Sequence, residues 1–173
     1  LTQFMVSVRA SPYTNVTVSQ AKAMIDSNPD LQILDVRYQY EYDEGHIRNA
    51  ILIPKDQLAD RLDELDNETT LVYCLAGGRS AQASQILDNA GFTSVYNMEG
   101  GITAWKNAGY PIEILFNVAW GEETHQVATF SNSTITSFNF SQPLKQISFN
   151  VTGADGTTGF CNVTIPIELL DGD

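Results

Sequence analysis

The first 112 residues of the chain alternate short apolar runs with segments that carry a single apolar stripe. The apolar runs at 31–36, 50–53 and 70–75 have the length of buried strands, and a shorter run begins at Val95. The stripes recur every three or four residues, which predicts amphipathic helices. Strands and helices in this order favour an α/β fold, with a central parallel sheet flanked by helices on both faces.

Capping and turn signals set the limits of the predicted helices. Thr17 and Gln20 form a capping-box pattern that begins the first helix. Two later helices are predicted over 79–90 and 102–108, and each is followed by a glycine that is typical of helix termination. One more helix is predicted after Pro54 from a stripe of three leucines, Leu58, Leu62 and Leu65.

After residue 112 the helical patterns stop. Residues 135–151 alternate apolar and polar positions, 160–165 form another strand candidate, and a turn signal at 153–156 separates them. This pattern predicts a small all-β module that is sandwich-like, of immunoglobulin type, and short for a complete sandwich. The chain therefore divides into an N-terminal extension, an α/β domain and the all-β module, with bounds 1–14, 15–112 and 113–173.

The charge balance excludes several classes of function. The chain holds 9 basic and 21 acidic residues, for a formal net charge of -12. A nucleic-acid partner would require a basic face, so we expect none. No apolar run reaches the length of about 18 residues that a transmembrane helix needs, and no signal peptide is visible.

Cysteine and histidine are too few for a disulfide framework or a metal site. The two cysteines, Cys74 and Cys161, fall in different predicted domains. The two histidines, His46 and His125, stand far apart in the chain and lack ligand-like spacing to either cysteine. We therefore expect no bound metal.

One segment carries the pattern of a reactive thiol. A predicted strand delivers Cys74, and the residues that follow it open a helix. Glycines allow successive backbone N–H groups to turn inward, and a helix N-terminus favours anions. A thiol in this position should have a lowered pKa. The anion-binding candidates are the six residues after the cysteine, Leu75, Ala76, Gly77, Gly78, Arg79 and Ser80.

An ordinary structural interpretation competes with this one. Buried cysteines are common, and an unremarkable turn between a strand and a helix would give a similar pattern. The loop alone therefore leaves both interpretations open.

Segments on both sides of the loop together resemble the rhodanese family. The matching segments are Leu34-Asp-Val-Arg37, Gly45-His-Ile47, Cys74-Leu-Ala-Gly-Gly-Arg-Ser80 and Val95-Tyr-Asn-Met-Glu-Gly-Gly101, followed by Trp105. They occur in the family's order, and their combination is far more specific than any single piece.

The resemblance implies a sulfurtransferase. Cys74 would accept a sulfane sulfur from a thiosulfate- or persulfide-type donor, become a persulfide, and pass the sulfur to a thiol or cyanide. The loop amides and Arg79 would hold the anion, and His46 would be structural. Asp35 and Arg37 would support the loop from beneath, with direct contact to the substrate as the alternative. No metal or organic cofactor is implied, and the partners would be the small donor and acceptor.

Three positions depart from the thiosulfate-specific members of the family. Those relatives carry additional cations where this chain has Glu41, Leu75 and Ala76. Less positive charge is then available for thiosulfate, so an organic or protein persulfide is at least as suitable a donor.

Three alternative functions stay open at this stage. Related phosphatases space cysteine and arginine by five residues, whereas four separate Cys74 from Arg79, which disfavours phosphatase chemistry. The domain could instead act as a persulfide carrier or sensor with little turnover. A purely structural surface module is the third alternative, and the intact Cys74 loop argues against it.

The β module suggests a location. Of six Asn-x-Ser/Thr sequons, four lie after residue 112, and the segments 147–153 and 158–166 resemble β modules of archaeal cell-surface proteins. The resemblance implies an extracellular or cell-surface protein whose β module is a spacer or an anchor for a surface or protein partner. A cytoplasmic location is the alternative. Cys161 is then expected to be buried in a strand and inert.

Overall fold

A five-stranded parallel sheet forms the first part of the protein in a computed structural model that describes residues 13–66 and 68–170. The strand order is β1-β5-β4-β2-β3, which confirms the parallel sheet. Its strands are β1 (Thr14–Val16), β2 (Gln32–Asp35), β3 (Ile51–Leu52), β4 (Thr70–Tyr73) and β5 (Val95–Met98). Strand β1 was not predicted, and residues 1–12 of the expected N-terminal extension lie outside the described residues.

The helices flank this sheet. They are α1 (Val18–Ser27), α2 (Gln39–Asp43), α3 (Gly78–Asn89) and α4 (Gly101–Asn107). The predicted capping box is present at the start of α1, where the Gln20 amide donates to Thr17 Oγ1 and the Thr17 amide donates to Gln20 Oε1. No helix within the described ranges is long and apolar enough to cross a membrane.

The prediction of a helix after Pro54 is wrong. Two single 3₁₀ turns, Leu58–Asp60 and Leu62–Glu64, stand in its place. Leu58 and Leu65 are nevertheless buried against the sheet, so the leucine stripe indicated burial correctly and helix length incorrectly.

The sheet has a separate core on each face. Alternate residues of β4 point to opposite faces: Leu71 and Tyr73 pack beneath α1 and α4, whereas Val72 and Cys74 pack beneath α3. Cys74 therefore emerges from the centre of the sheet on the face that α3 covers.

The remaining strands form two small antiparallel sheets, as the all-β prediction required. The first sheet has the order β10-β7-β6 and the second pairs β8 with β9. The Phe116 and Phe138 rings stack 3.9 Å apart between the two sheets. Five strands are fewer than an immunoglobulin sandwich holds. The strands are β6 (Ile112–Trp120), β7 (Glu123–Ser131), β8 (Thr134–Ser141), β9 (Gln146–Thr152) and β10 (Cys161–Thr164).

The β module joins the α/β domain at the segment that follows α2. His46 and Glu113 exchange two backbone hydrogen bonds of 2.9 and 2.8 Å. Arg48 Nε donates to Glu113 Oε1 at 2.8 Å, and its guanidinium lies 3.7 Å from the centre of the Phe130 ring. A hydrogen-bonded and stacked junction therefore ties the two parts together.

Candidate active site

Cys74 lies at the carboxyl end of β4, the central strand of the parallel sheet. This edge is where open parallel sheets bind their ligands, because the connecting loops leave a crevice there. The cysteine residue is 1% exposed, while Leu75, Ala76 and Gly78 are exposed around it. The Cys74 thiol is therefore buried directly beneath exposed residues of its own loop.

The loop directs its N–H groups at the sulfur. The Gly77 amide donates to Cys74 Sγ at 3.1 Å. The amides of Ala76 and Ser80 also act on the sulfur and lower the pKa of the thiol. The Ser80 hydroxyl lies 3.5 Å from the sulfur and 3.0 Å from the Gly77 carbonyl oxygen. This arrangement is a cradle for a negative charge on sulfur, built mainly from backbone.

Two opposing effects set the pKa of the Cys74 thiol. Burial is the largest single influence and raises the pKa, because it disfavours the thiolate. Hydrogen bonds from the Ser80 hydroxyl and from the loop amides lower it, and together they outweigh burial. The pKa therefore lies below its ordinary value, as a nucleophilic thiol requires.

The start of α4 fixes the other side of the loop. The Ile102 and Thr103 amides donate to the Cys74 and Leu75 carbonyls at 2.8 and 3.1 Å. Gly101 has φ of +56°, and a Cβ at this position would lie 2.6 Å from the Leu75 carbonyl oxygen. Only glycine allows the two chain segments to approach this closely.

The guanidinium of Arg79 is already paired. Its two terminal nitrogens donate to the Glu41 carboxylate at 2.6 and 2.7 Å. These hydrogen bonds are the main reason that the pKa of Glu41 is lowered, and they raise the pKa of Arg79. From the sequence, Glu41 stood out only because thiosulfate-specific relatives carry a cation at this position. The structure shows that Glu41 also neutralises Arg79, the arginine of the reactive loop.

Asp35 and Arg37 form a buried ion pair beneath the site. Arg37 Nε and its neighbouring terminal nitrogen contact Asp35 at 2.9 and 2.6 Å, and the guanidinium also donates to the carbonyls of Glu41 and Gly45. Burial has the largest effect on Arg37 and lowers its pKa, but the hydrogen bonds and charge of Asp35 produce a net rise. The pair thus holds the α2 segment against the end of β2.

His46 packs away from the thiol. Its ring stacks on Tyr42 with centroids 3.7 Å apart, and Nδ1 lies 3.1 Å from the Tyr42 carbonyl oxygen. Burial lowers the pKa of His46, so the neutral form is favoured. Nε2 faces Glu113 at 3.5 Å, which makes His46 part of the junction with the β module.

Two exposed tyrosines beside the site were missed by the sequence analysis. The Tyr38 ring lies 5.4 Å from the Arg79 guanidinium carbon and stacks on Tyr40 at 6.0 Å. The signal available in the sequence was the position of these rings directly after Arg37, at the carboxyl end of a strand. Cys161 is half-buried at the start of β10, which is more open than expected, and both cysteines are free thiols.

Comparison with known proteins identifies the first domain. The sequence model of the rhodanese-like domain family matches residues 17–108, more than half of the chain. The chain belongs to the rhodanese-like family. The match ends before β6, so the β module of this rhodanese-like protein lies outside it, and its likeness to archaeal surface modules stays a prediction.

Solved rhodanese-like structures resemble more than half of the chain. A rhodanese-related protein from Thermoplasma volcanium is 33% identical, with a TM-score of 0.53 over 58% of this chain and 97% of that one. A rhodanese-like domain from Anabaena sp. is 30% identical, with a TM-score of 0.54 over 67% of this chain and 97% of that one. Both support the α/β fold of the rhodanese-like domain.

Curated relatives match part of the chain. A tRNA uridine(34) hydroxylase from Pectobacterium carotovorum is 35% identical over 107 residues, which is 56% of this chain and 30% of that protein. An uncharacterized protein from Synechocystis sp. is 36% identical over 104 residues, 59% of this chain and 58% of that protein. The chain therefore spans between about a third and about three-fifths of the length of these relatives.

Proposed function

We propose that the rhodanese-like domain is a sulfurtransferase that moves sulfane sulfur through a persulfide on Cys74. The observation that carries the proposal is the cradle of backbone N–H groups around Cys74 Sγ, with the Gly77 amide at 3.1 Å. Such a cradle favours the thiolate before transfer and the anionic outer sulfur after it.

The reaction needs two nucleophilic displacements. The Cys74 thiolate attacks the sulfane sulfur of a donor persulfide, the donor S–S bond breaks, and the donor thiolate leaves with the electron pair. A thiol acceptor, as its thiolate, or cyanide then attacks the outer sulfur of the Cys74 persulfide. The new S–S or S–C bond forms as the Cys74 thiolate leaves, so no external oxidant or reductant is consumed.

Each loop residue has a defined part in this scheme. Ala76, Gly77 and Ser80 hold the sulfur through their amides, and the Ser80 hydroxyl adds a further donor. Leu75 and Gly78 complete the loop around it. Because Glu41 already neutralises Arg79, the site offers little net positive charge, which favours a persulfide-type donor over the dianion thiosulfate.

Mass spectrometry of the protein after incubation with glutathione persulfide tests the proposal. We expect one added sulfur on Cys74, followed by thiocyanate and loss of that sulfur when cyanide is added. Cys74→Ala should abolish both signals, whereas Cys161→Ala should leave both unchanged. An unmodified Cys74 after treatment with glutathione persulfide and with thiosulfate would overturn the proposal.

A persulfide carrier with little turnover is the second candidate function. The observation that favours it is the 1% exposure of Cys74, which restricts the approach of an acceptor to the bound sulfur. A carrier would form the persulfide on Cys74 at stoichiometric level and release thiocyanate only slowly under excess donor. Multiple turnovers at a rate limited by donor concentration support the enzyme instead.

A location outside the cell is a separate proposal that rests on the β module. Asn139, Asn150 and Asn162 are exposed in sequons, and Asn132 is half-buried, whereas Asn67 lies outside the described residues. Expression in a glycosylating host with its native flanking sequence, followed by glycopeptide mapping, tests it. Glycans on the exposed sites with the protein outside the membrane support this location, and an unmodified protein retained inside the cell contradicts it.

A further inference from the structure

Within the rhodanese-like domain, the exposed large apolar side chains lie mainly near the reactive loop. In the described part of the rhodanese-like domain, four such side chains are exposed: Tyr38 at 46%, Tyr40 at 65%, Ile51 at 37% and Leu75 at 48%. Three of the four follow strands at the carboxyl end of the sheet: Tyr38 precedes α2, Tyr40 lies in its first turn, and Leu75 follows Cys74. Exposed apolar groups concentrated at one place indicate an interaction site rather than ordinary surface scatter.

Specific contacts connect these side chains to the reactive loop. The Tyr38 ring lies 5.4 Å from the Arg79 guanidinium carbon, and Tyr40 stacks on Tyr38 with an angle of 15° between the planes. Leu75 directly follows the nucleophile, and its backbone is fixed by the hydrogen bond from Thr103. Tyr38 and Tyr40 are thus linked to the reactive loop through Arg79, and Leu75 belongs to that loop. We name the three side chains the mouth surface.

The charge beside the mouth surface is cancelled. Arg79 is the only arginine of the loop, and Glu41 pairs both of its terminal nitrogens. A small anion that approaches the loop consequently finds no unpaired positive charge on Arg79 to attract it, although the loop amides beneath can donate hydrogen bonds to an anion. Attraction to the mouth surface must come from apolar contact instead.

We propose that the mouth surface docks a protein that presents a cysteine thiol or persulfide from an apolar surface segment. The proposal deepens the proposed sulfur transfer and rests on it. Position determines the chemistry of the partner, because whatever covers these three side chains brings its reactive group over Cys74. Their exposure of about half or more favours a protein over a small molecule, since small ligands bind in concave pockets and aromatic rings are enriched in protein interfaces.

Two synthetic cysteine peptides test the docking surface. They share length and an uncharged sequence, and differ only in whether leucine and phenylalanine or serine and asparagine flank the cysteine. The measurement is the second-order rate constant for transfer of sulfur from the Cys74 persulfide to each peptide, with cyanide as a third acceptor. We expect the apolar peptide to react about tenfold faster than the polar one, as a contact energy of about 1.4 kcal/mol gives.

Single variants locate the preference on the surface. Tyr40→Ser should remove most of the advantage of the apolar peptide and leave transfer to cyanide unchanged, and Leu75→Ser should reduce the ratio of the two peptide rates. Ile51→Ser, an exposed apolar position on β3, is the matched control and should change neither rate.

The outcomes separate this proposal from the proposed function. Equal rates for the two peptides, or an unchanged ratio in Tyr40→Ser and Leu75→Ser, overturn the docking surface even if cyanide still yields thiocyanate. A preference for free cysteine over both peptides would assign the mouth surface to small thiols and overturn it as well. Failure of Cys74 to form a persulfide at all overturns the sulfur transfer itself.

Discussion

The Glu41 carboxylate binds both terminal nitrogens of Arg79 across 38 positions of the chain, at 2.6 and 2.7 Å. The contact joins α2 to the first turn of α3 and lies beside the nucleophile. Glu41 is 8% exposed, so water screens its carboxylate less than it screens a surface residue. The pair therefore sets the charge that a donor meets.

Glu41→Gln should convert the site into one that binds thiosulfate better. Glutamine keeps the shape and can still accept the Tyr38 amide hydrogen bond, but it no longer neutralises Arg79. We expect the KM for thiosulfate to fall about threefold to tenfold, with a smaller change for glutathione persulfide, because a doubly charged anion gains most from a free guanidinium. Steady-state kinetics with both donors measure this.

Glu64→Gln supplies the control for that substitution. Glu64 makes an equivalent two-point contact with Arg61 at 2.6 and 2.8 Å, but on the exposed surface away from Cys74. Removing this pair should leave both KM values unchanged. A similar drop in Glu64→Gln would trace the effect to total charge, and no drop in Glu41→Gln would show that Arg79 does not reach the donor.

The reactive loop could be predicted from the sequence because its parts are contiguous. Residues 74–80 carry the nucleophile, the glycines and the helix start in one segment, so local geometry alone turns the amides inward. The Glu41–Arg79 pair joins residues far apart in the chain, and only the packing of α2 against α3 brings them together. Its effect on charge could therefore not be predicted from the sequence.

One error in the predicted fold has a local physical cause, and one hairpin was not predicted despite a local signal. The leucine stripe after Pro54 is interrupted by Asp56, Asp60 and Asp63, whose side chains compete for backbone N–H groups and favour turns over helix interiors. The β6–β7 hairpin was not predicted, although Gly121, with φ of +63°, is a recognisable turn signal after the apolar run of β6.

Ser80→Ala should move the reactivity of the Cys74 thiol to higher pH. The pKa of Cys74 is lowered in part by the Ser80 hydroxyl, and removing this donor withdraws that contribution. The thiolate then forms at higher pH, so the rate of alkylation by iodoacetamide at neutral pH falls. A profile of alkylation rate against pH, followed by mass spectrometry of the Cys74 peptide, measures the shift.

Ser84→Ala is the matched control for the hydroxyl. Ser84 is buried in the same helix, and its Oγ has no hydrogen-bond partner among the described residues. The alkylation profile should be unchanged, and the free energy of unfolding should stay level or rise slightly. An unshifted profile in Ser80→Ala would mean that the backbone amides alone stabilise the thiolate.

Gly101→Ala should cost much more stability than an alanine at another left-handed glycine. Gly109 has φ of +74° and open space where a Cβ would stand. Gly109→Ala should therefore lower the free energy of unfolding only by the cost of placing alanine in a left-handed conformation, about 1–2 kcal/mol. At Gly101 the Cβ also meets the Leu75 backbone, which adds roughly 1–3 kcal/mol and displaces the loop. Urea unfolding measures both variants, and equal losses would contradict the close approach.

His46 should make the folded protein less stable as the pH falls through the range below 6.5. Burial lowers the pKa of folded His46 from 6.5, so the unfolded chain binds a proton that the folded chain refuses. The contribution of neutral His46 to the free energy of unfolding is fully present above pH 6.5. It declines, by at most about 1.4 kcal/mol per pH unit for one proton, until the pH reaches the lowered pKa of the folded state.

Glu113 faces the His46 ring at 3.5 Å and moderates the lowering of its pKa by attracting the charged form. Urea unfolding at several pH values between 7.5 and 5 should therefore show a slope that His46→Asn flattens, whereas His125→Asn, which removes the histidine of the β module, keeps it. An identical slope in His46→Asn would mean that other groups cause the loss of stability in acid.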